Sequence, residues 1–111
     1  MSDILISALH ANGILHNYAA SNVANANTRD YKSLRTILTN DAGGNVSAVT
    51  ERSTTEGVLT DDGHFTSNVD LPQEFTDMIL AQRGFEAMLG AIRTREEIMS
   101  DLMKVLTDKI G

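Results

Sequence analysis

The chain contains no cysteine among its 111 residues. That excludes disulfides, thiolate catalysis and cysteine-ligated metal, and leaves packing as the source of stability. It is also poor in positive charge, with nine Lys and Arg against fifteen Asp and Glu and a formal net charge of -6. No stretch concentrates enough cations to displace counterions from a phosphate backbone, so nucleic acid is excluded as a target. Long apolar runs are missing too. No segment approaches the roughly 18 residues of a membrane span, so no span is expected. The residues from Met1 to Leu15 carry Asp3 and alternate apolar with polar positions, unlike a cleavable signal peptide. Any export is therefore expected to proceed without signal cleavage.

What is present is helical periodicity at both ends. From Leu71 to Ile110, Leu71, Met78, Phe85, Ile92, Met99 and Leu106 stand seven apart, with Phe75, Leu89, Met103 and Ile110 on a second track. A repeat kept for more than five heptads, with no Gly or Pro able to stop it, predicts a helix of roughly 55 Å at about 1.5 Å per residue, seeking a helical partner along its length. Asp70 is the expected N-cap, with Gln73 at its capping-box position and Pro72 in the first turn, where proline is tolerated. Ile79, Leu80, Met88, Ala91, Ile98, Leu102 and Val105 widen the apolar face well beyond one seam. Such cover on a small chain points to assembly with itself or with relatives. Gln82 and Glu96 interrupt the second track, and Gln82 is the better candidate for a register-fixing hydrogen bond. The methionines at 78, 88, 99 and 103 read as core filler or as adaptable contacts.

The first segment, about Ser2 to Asn25, repeats Ile4, Leu5, Ala8, Leu9, Ala11, Leu15, Tyr18, Ala19 and Val23 at three- and four-residue steps, predicting a helix capped by Ser2. Gly13 costs that helix roughly 1 kcal/mol against alanine, but the period continues on both sides. The run from Asn25 to Asp30 ends it in a turn. Tyr31 to Leu38 reads equally as an extended arm or a short helix. Asp41 to Asn45 and Asp61-Asp62-Gly63 are turns, while Val46 to Thr50 and Gly57 to Thr60 suggest a short hairpin or two edge strands. The fold class is mainly α, a single domain over 1–111. Its parts are an N-terminal helix (1–28), a turn, arm and short β segment (29–69) and a long C-terminal helix (70–109), the two helices paired as a coiled coil.

Chemistry is sparse. His10, His16 and His64 lack the spacing that lets two imidazoles share a metal on a helix, and the Asp61-Asp62 turn lacks the ligand pattern of a calcium loop. No nucleophile motif, phosphate loop or paired carboxylate can be assembled. No catalytic, cofactor or metal residue is assigned, and no enzyme is expected.

Two motifs carry a resemblance. The turn Ser21-Asn22-Val23-Ala24-Asn25-Ala26-Asn27-Thr28, followed by Tyr31-Lys32, resembles the N-terminal signature of bacterial flagellar basal-body rod and hook proteins. The block Ser67-Asn68-Val69-Asp70-Leu71, Glu74-Phe75, Met78-Ile79, Gln82-Arg83 and Phe85-Glu86-Ala87 resembles that family's C-terminal signature. The resemblance covers roughly residues 1–35 and 57–108. It implies a structural subunit of the flagellar rod whose terminal helices pack about the axis of a tubular assembly and transmit torque for motility. Its partners would be copies of itself and other rod and hook-basal-body proteins. It would leave the cell through the flagellar type III export apparatus and reside in the periplasmic rod. The short stretch from about Ser33 to Glu56 makes it most similar to proximal rod subunits of the FlgC type. Rival readings are a soluble coiled-coil adaptor or export chaperone, and a distal-rod or hook paralogue. Arg29-Asp30 stands where the family has Pro-Gly, which asks Asp30 to adopt the left-handed turn. The residues singled out are the turn positions Asn22, Ala24, Asn25, Asn27, Thr28, Tyr31, Asn68, Val69 and Asp70. Beside them stands a packing stripe of Leu5, Leu9, Leu15, Phe75, Met78, Ile79, Gln82, Phe85, Leu89, Ile92, Met99, Met103 and Leu106.

Overall fold

The computed structural model describes residues 2–110 as four elements. They are helix α1 (Ser2–Ala24), strands β1 (Leu34–Asn40) and β2 (Val46–Arg52), and helix α2 (Leu71–Ile110). The chain is mainly helical, as its periodicity predicts. α1 runs through Gly13 without a break. The capping role expected of Ser2 falls on a side chain outside those described.

The helices pair antiparallel. Asn22 meets Glu74 at one end, Gly84 lies against Asn12 in the middle, and Ile6 shares a hollow with Ile92 and Met99 at the other. α1 is the element on which everything rests: α2 packs on it, both strands pack on it, and the hairpin and α2 do not pack on each other. Among the described residues the buried apolar ones are four alanines, Ala8, Ala11 and Ala19 of α1 and Ala81 of α2. Small side chains let helix axes approach closely, since interaxial distance follows the size of what stands between them. A Cβ on Gly84 would lie 2.5 Å from the Asn12 side-chain oxygen, so Gly84 too is there for close approach.

The middle corrects one expectation. Val46 to Thr50 is a strand, but its partner is Leu34–Asn40, in antiparallel register from Leu34↔Arg52 to Asn40↔Val46. Gly57 to Thr60 is no part of that hairpin. Leu34, Thr36 and Leu38 alternate inward across from Ala48 and Thr50, and the Asp41–Asn45 turn joins the strands. In that turn the Asp41 carboxylate accepts from Gly43 and Asn45 N–H at 2.8 and 3.0 Å, and Gly44 takes φ 85°. The β alternative was legible in Leu34 to Leu38, but that run also fits a helix turn. The segment from Gly57 instead folds against its own continuation. Leu59 bridges Phe65, and a Cβ on Gly57 would meet the Thr66 carbonyl oxygen at 2.1 Å, so only glycine fits there.

α2 starts as expected at its cap. The Asp70 carboxylate accepts from Gln73 N–H at 3.3 Å, and its carbonyl begins the helix through Glu74 N–H at 3.0 Å. The reciprocal half of the capping box does not form, because the Gln73 amide donates forward to Asp77 at 3.0 Å. α1 is shorter than α2, so α2 outruns it and every residue from 93 to 110 is exposed. The molecule is 80 Å long and 25 × 14 Å across.

Candidate functional site

The chemistry of this chain is positional, and it concentrates where α1 ends. Asn22 is 0 % exposed and uses all the hydrogen-bonding capacity its neighbours ask of it. Its amide donates to the Leu34 carbonyl at 2.7 Å and to Glu74 Oε2 at 3.0 Å. Its oxygen accepts from Leu34 N–H and from the Tyr31 hydroxyl, both at 2.9 Å. One side chain thus ties α1 to the linker, to the first residue of β1 and to the first turn of α2. A buried amide satisfied on both ends fixes geometry, because any displacement orphans several groups at once.

Glu74 is the buried partner, 7 % exposed. Burial pushes its carboxyl above the ordinary range. The Asn22 hydrogen bond opposes that shift, Asp77 and Asp70 add to it, and Arg35 from β1 opposes it.

Asn68 is a second hub, built the same way. Its oxygen accepts from Ser33 N–H at 2.7 Å, its amide donates to Ser53 Oγ at 3.0 Å and the Thr55 carbonyl at 2.6 Å, and its own N–H reaches the Tyr31 carbonyl at 3.1 Å. It binds the segment entering α2 to both sides of the hairpin base. Arg52 closes this base from outside, lying 5.5 Å from the Tyr31 ring centroid and donating to the Lys32 carbonyl at 2.7 Å.

Asp30 does adopt the left-handed conformation, with φ 56°. An Asp there gains what a glycine lacks. Its Oδ1 accepts from Phe65 N–H at 2.9 Å while its own N–H donates to the Phe65 carbonyl at 2.8 Å, and Oδ2 stands 3.2 Å from His64 Nδ1. The Phe65 amide first, then His64, hold the Asp30 carboxyl below its usual range. Next to it Arg29 pairs with Asp62 at 3.0 Å on the open surface. His64 thus has a place in a surface loop latch. Among the described residues no group of three His, Asp or Glu could hold a metal ion.

The remaining turn residues divide by role. Asn25 caps the end of α1, its amide donating to the Ser21 carbonyl at 2.8 Å and its oxygen accepting from Thr28 Oγ1 at 3.0 Å. Val69 N–H donates to Ser67 Oγ at 3.3 Å ahead of the Asp70 cap. Ala24 and Asn27 are exposed; Asn27 lines an open cleft with Arg29 and Asp62, and nothing in the structure explains Ala24.

The stripe splits in the same manner. Leu5, Leu9, Leu15, Met78, Leu89 and Ile92 are half-buried. Phe75, Ile79, Gln82, Phe85, Met99, Met103 and Leu106 are exposed. The face of α2 turned to α1 runs instead through Glu74, Ala81, Gly84 and Met88, a heptad track beside the one the large residues mark. The sequence reading missed this seam, as well as the burial of Glu74. A signal existed in α1, where Ile4, Ala8, Ala11, Leu15, Ala19 and Asn22 keep an unbroken three- and four-residue step. Hydrophobicity hid it, because alanines count for little beside the leucines next to them.

A comparison with known families falls on α2 and the segment that enters it. Residues 66–105 match the family of flagellar basal body rod FlgEFG protein C-terminal domains. A stretch of 39 residues, 35 % of the chain, is 51 % identical to the flagellar basal-body rod protein FlgG of Bacillus subtilis and covers 15 % of it. A stretch of the same length is 44 % identical to the flagellar hook protein FlgE of Borreliella burgdorferi and covers 9 % of that protein. The aligned stretch is thus a small part of either relative. No helix described here is long and apolar enough to cross a membrane.

Proposed function

We propose that this chain is a structural subunit of the bacterial flagellar basal-body rod, self-assembling through its helices to transmit torque. The observation that carries the reading is the coincidence of two facts on one segment. Residues 66–105 match the rod and hook C-terminal domain, and α2, which contains most of them, exposes a row of large apolar residues from Phe75 to Ile110 that its own α1 does not cover. A subunit that works by being packed must keep such a row for its neighbours. The short stretch between Ala24 and Leu71, one hairpin and one loop, favours a proximal rod position. The names of the relatives favour a distal-rod or hook paralogue as the second reading. The partners are copies of this chain and other rod proteins, the route is the flagellar export apparatus, and the place is the periplasmic rod.

The test is a clean deletion in the host with motility scored and basal bodies imaged. Nonmotile cells whose rods stop before the distal segment support the proximal position; motile cells with complete rods overturn the proposal. Complementation with Phe85→Asp sharpens it. Phe85 is 39 % exposed and borders α1, so circular dichroism first checks that the variant folds; folded and made at normal levels, it should fail to restore swimming. Restored swimming would refute the role given to this row.

A further inference from the structure

Of all the glycines in the chain, Gly13 alone follows an asparagine. Helix α1 runs straight through this Asn12-Gly13 step. The two residues stand differently in the fold. The Asn12 amide donates to the Ala8 carbonyl at 2.9 Å, and its oxygen lies against Gly84 of α2, where a Cβ would come within 2.5 Å of it. Asn12 therefore belongs to the seam between the helices. Gly13 has no such duty, since a Cβ built on it meets nothing within 4 Å, and a helix-interior glycine costs roughly 1 kcal/mol against alanine. Gly90 of α2 is equally open, but it follows Leu89, which carries no amide. Only at Gly13 does the glycine change the chemistry of its neighbour.

Asparagine is chemically labile, because the backbone nitrogen of the next residue can attack its side chain. Once the Gly13 nitrogen loses its proton it forms a bond to Asn12 Cγ, ammonia leaves, and the chain carries a five-membered succinimide. Water then opens the ring at one carbonyl or the other, giving aspartate, or isoaspartate with the backbone rerouted through the former side chain. No reagent besides water is consumed. Glycine favours the closure because it has no Cβ to crowd the nitrogen or restrict the backbone. The α-helix opposes it twice. It commits the Gly13 N–H to the carbonyl four residues earlier, and Asn12 must leave helical φ/ψ before Cγ can reach that nitrogen. The bond to Ala8 and the wall at Gly84 restrain the side chain as well.

We propose that Asn12-Gly13 is a succinimide-forming modification site masked by α1–α2 pairing, which converts in chains whose helices are apart and whose isoaspartyl product does not re-form the pair. Isoaspartate adds a methylene to the backbone and so shifts the hydrogen-bond ladder in the middle of α1, the element on which both strands and α2 rest. Aspartate keeps the backbone, yet it replaces the donor facing the Ala8 carbonyl with a charged acceptor, beside a seam of buried alanines. The conversion is irreversible, so it records the time a chain has spent unpaired. It needs only the Asn-Gly step and the helix pairing, and is independent of the rod-subunit reading.

The full-length chain is held in mildly alkaline buffer with and without guanidinium chloride, and conversion at each asparagine is followed by peptide mass spectrometry, with isoaspartate distinguished by enzymatic methylation. Conversion at Asn12 should be at least tenfold faster in denaturant than in buffer, and in denaturant at least tenfold faster than at Asn17, which precedes Tyr18. Equal rates in the two solutions, or at the two asparagines, overturn the proposal. Gly13→Ala should bring Asn12 down to the Asn17 rate in denaturant while raising the Tm of the folded chain. A Gly13→Ala chain that converts as fast as wild type overturns it too. Chains aged in denaturant are then returned to buffer and melted under circular dichroism. The unconverted fraction should recover the original transition and the isoaspartyl fraction should not; recovery by both overturns the claim that conversion blocks pairing.

Discussion

Asn22→Ala removes four hydrogen bonds from a residue with no exposed surface. The magnitude follows from what each partner loses. Leu34 N–H and carbonyl and the Tyr31 hydroxyl are half-buried groups, each losing a bond whose net worth is about 1 kcal/mol, with water able to restore part of it. Glu74 is worse placed, since its charge-assisted bond is worth about 1.5–3 kcal/mol and its carboxylate stays buried. Discounting for water in the space left behind, the total is about 3–4 kcal/mol. A domain of this size has a stability on the order of 5–15 kcal/mol, so a large share disappears. At about 4 °C per kcal/mol, Tm should fall by roughly 12–16 °C. Urea unfolding followed by far-UV circular dichroism measures it, with an unchanged m value showing that stability alone has changed. Tyr31→Phe, which removes one of the four bonds, should cost about 1 kcal/mol. If Asn22→Ala costs no more than Tyr31→Phe, the hub is not what joins the elements, and the reasoning fails.

Two titrations have opposite signs. Glu74 has a folded-state pKa raised above the unfolded value near 4.5, so its contribution is fully present below that value and is lost as pH rises through the folded pKa. Glu74→Gln should therefore abolish this component of the decline and be more stable than wild type at neutral pH; parallel Tm-versus-pH curves would count against it. Asp30 is the reverse, its folded pKa being held below the unfolded value near 3.8. Its contribution is present above that value and lost as pH falls through the folded pKa, so Asp30→Asn should show a shallower acid limb in the same experiment. At neutral pH Asp30→Ala should cost more than Asp30→Gly, because alanine both loses the bond from Phe65 and keeps the strain of a positive φ, about 1 kcal/mol that glycine relieves.

The long helix was legible because forty residues of unbroken period leave no other solution, and the Asp70 cap, the two turns and the left-handed Asp30 were legible because each depends on residues close in sequence. The hidden parts depend on distant ones. Asn22 finds its partners 12 and 52 positions away, and nothing local distinguishes it from Asn25, whose partner is four away. Choosing which strand pairs with Val46 to Thr50 required knowing that α1 passes beneath Leu34, Thr36 and Leu38. The seam failed for a further reason. Period shows that a helix has an apolar face, and α2 has two such faces side by side, so the larger residues drew attention to the face its own chain leaves open.

That arrangement divides labour along α2, with a consequence for its dynamics. Alanines bury little area, so the helix pair is held most firmly where Asn22, Glu74 and Tyr31 lock it. Away from that joint the support passes to half-buried residues such as Leu15, Leu89 and Ile92, and from residue 93 onward the exposed helix keeps little beyond its own backbone bonds. An isolated helix of fewer than about 12–15 residues is marginal in water, and the overhang beyond Met99 is of that size. Amide hydrogen exchange on the free chain should accordingly fall in steps, with the strongest protection near residues 18–24 and 74–84 and the weakest at 98–110. Asn22→Ala should erase the first step and leave the last unchanged. Uniform protection along α2 in a chain shown to be monomeric would mean that the overhang is stable without a neighbour, and the argument that its apolar row is kept for one would lose its physical basis.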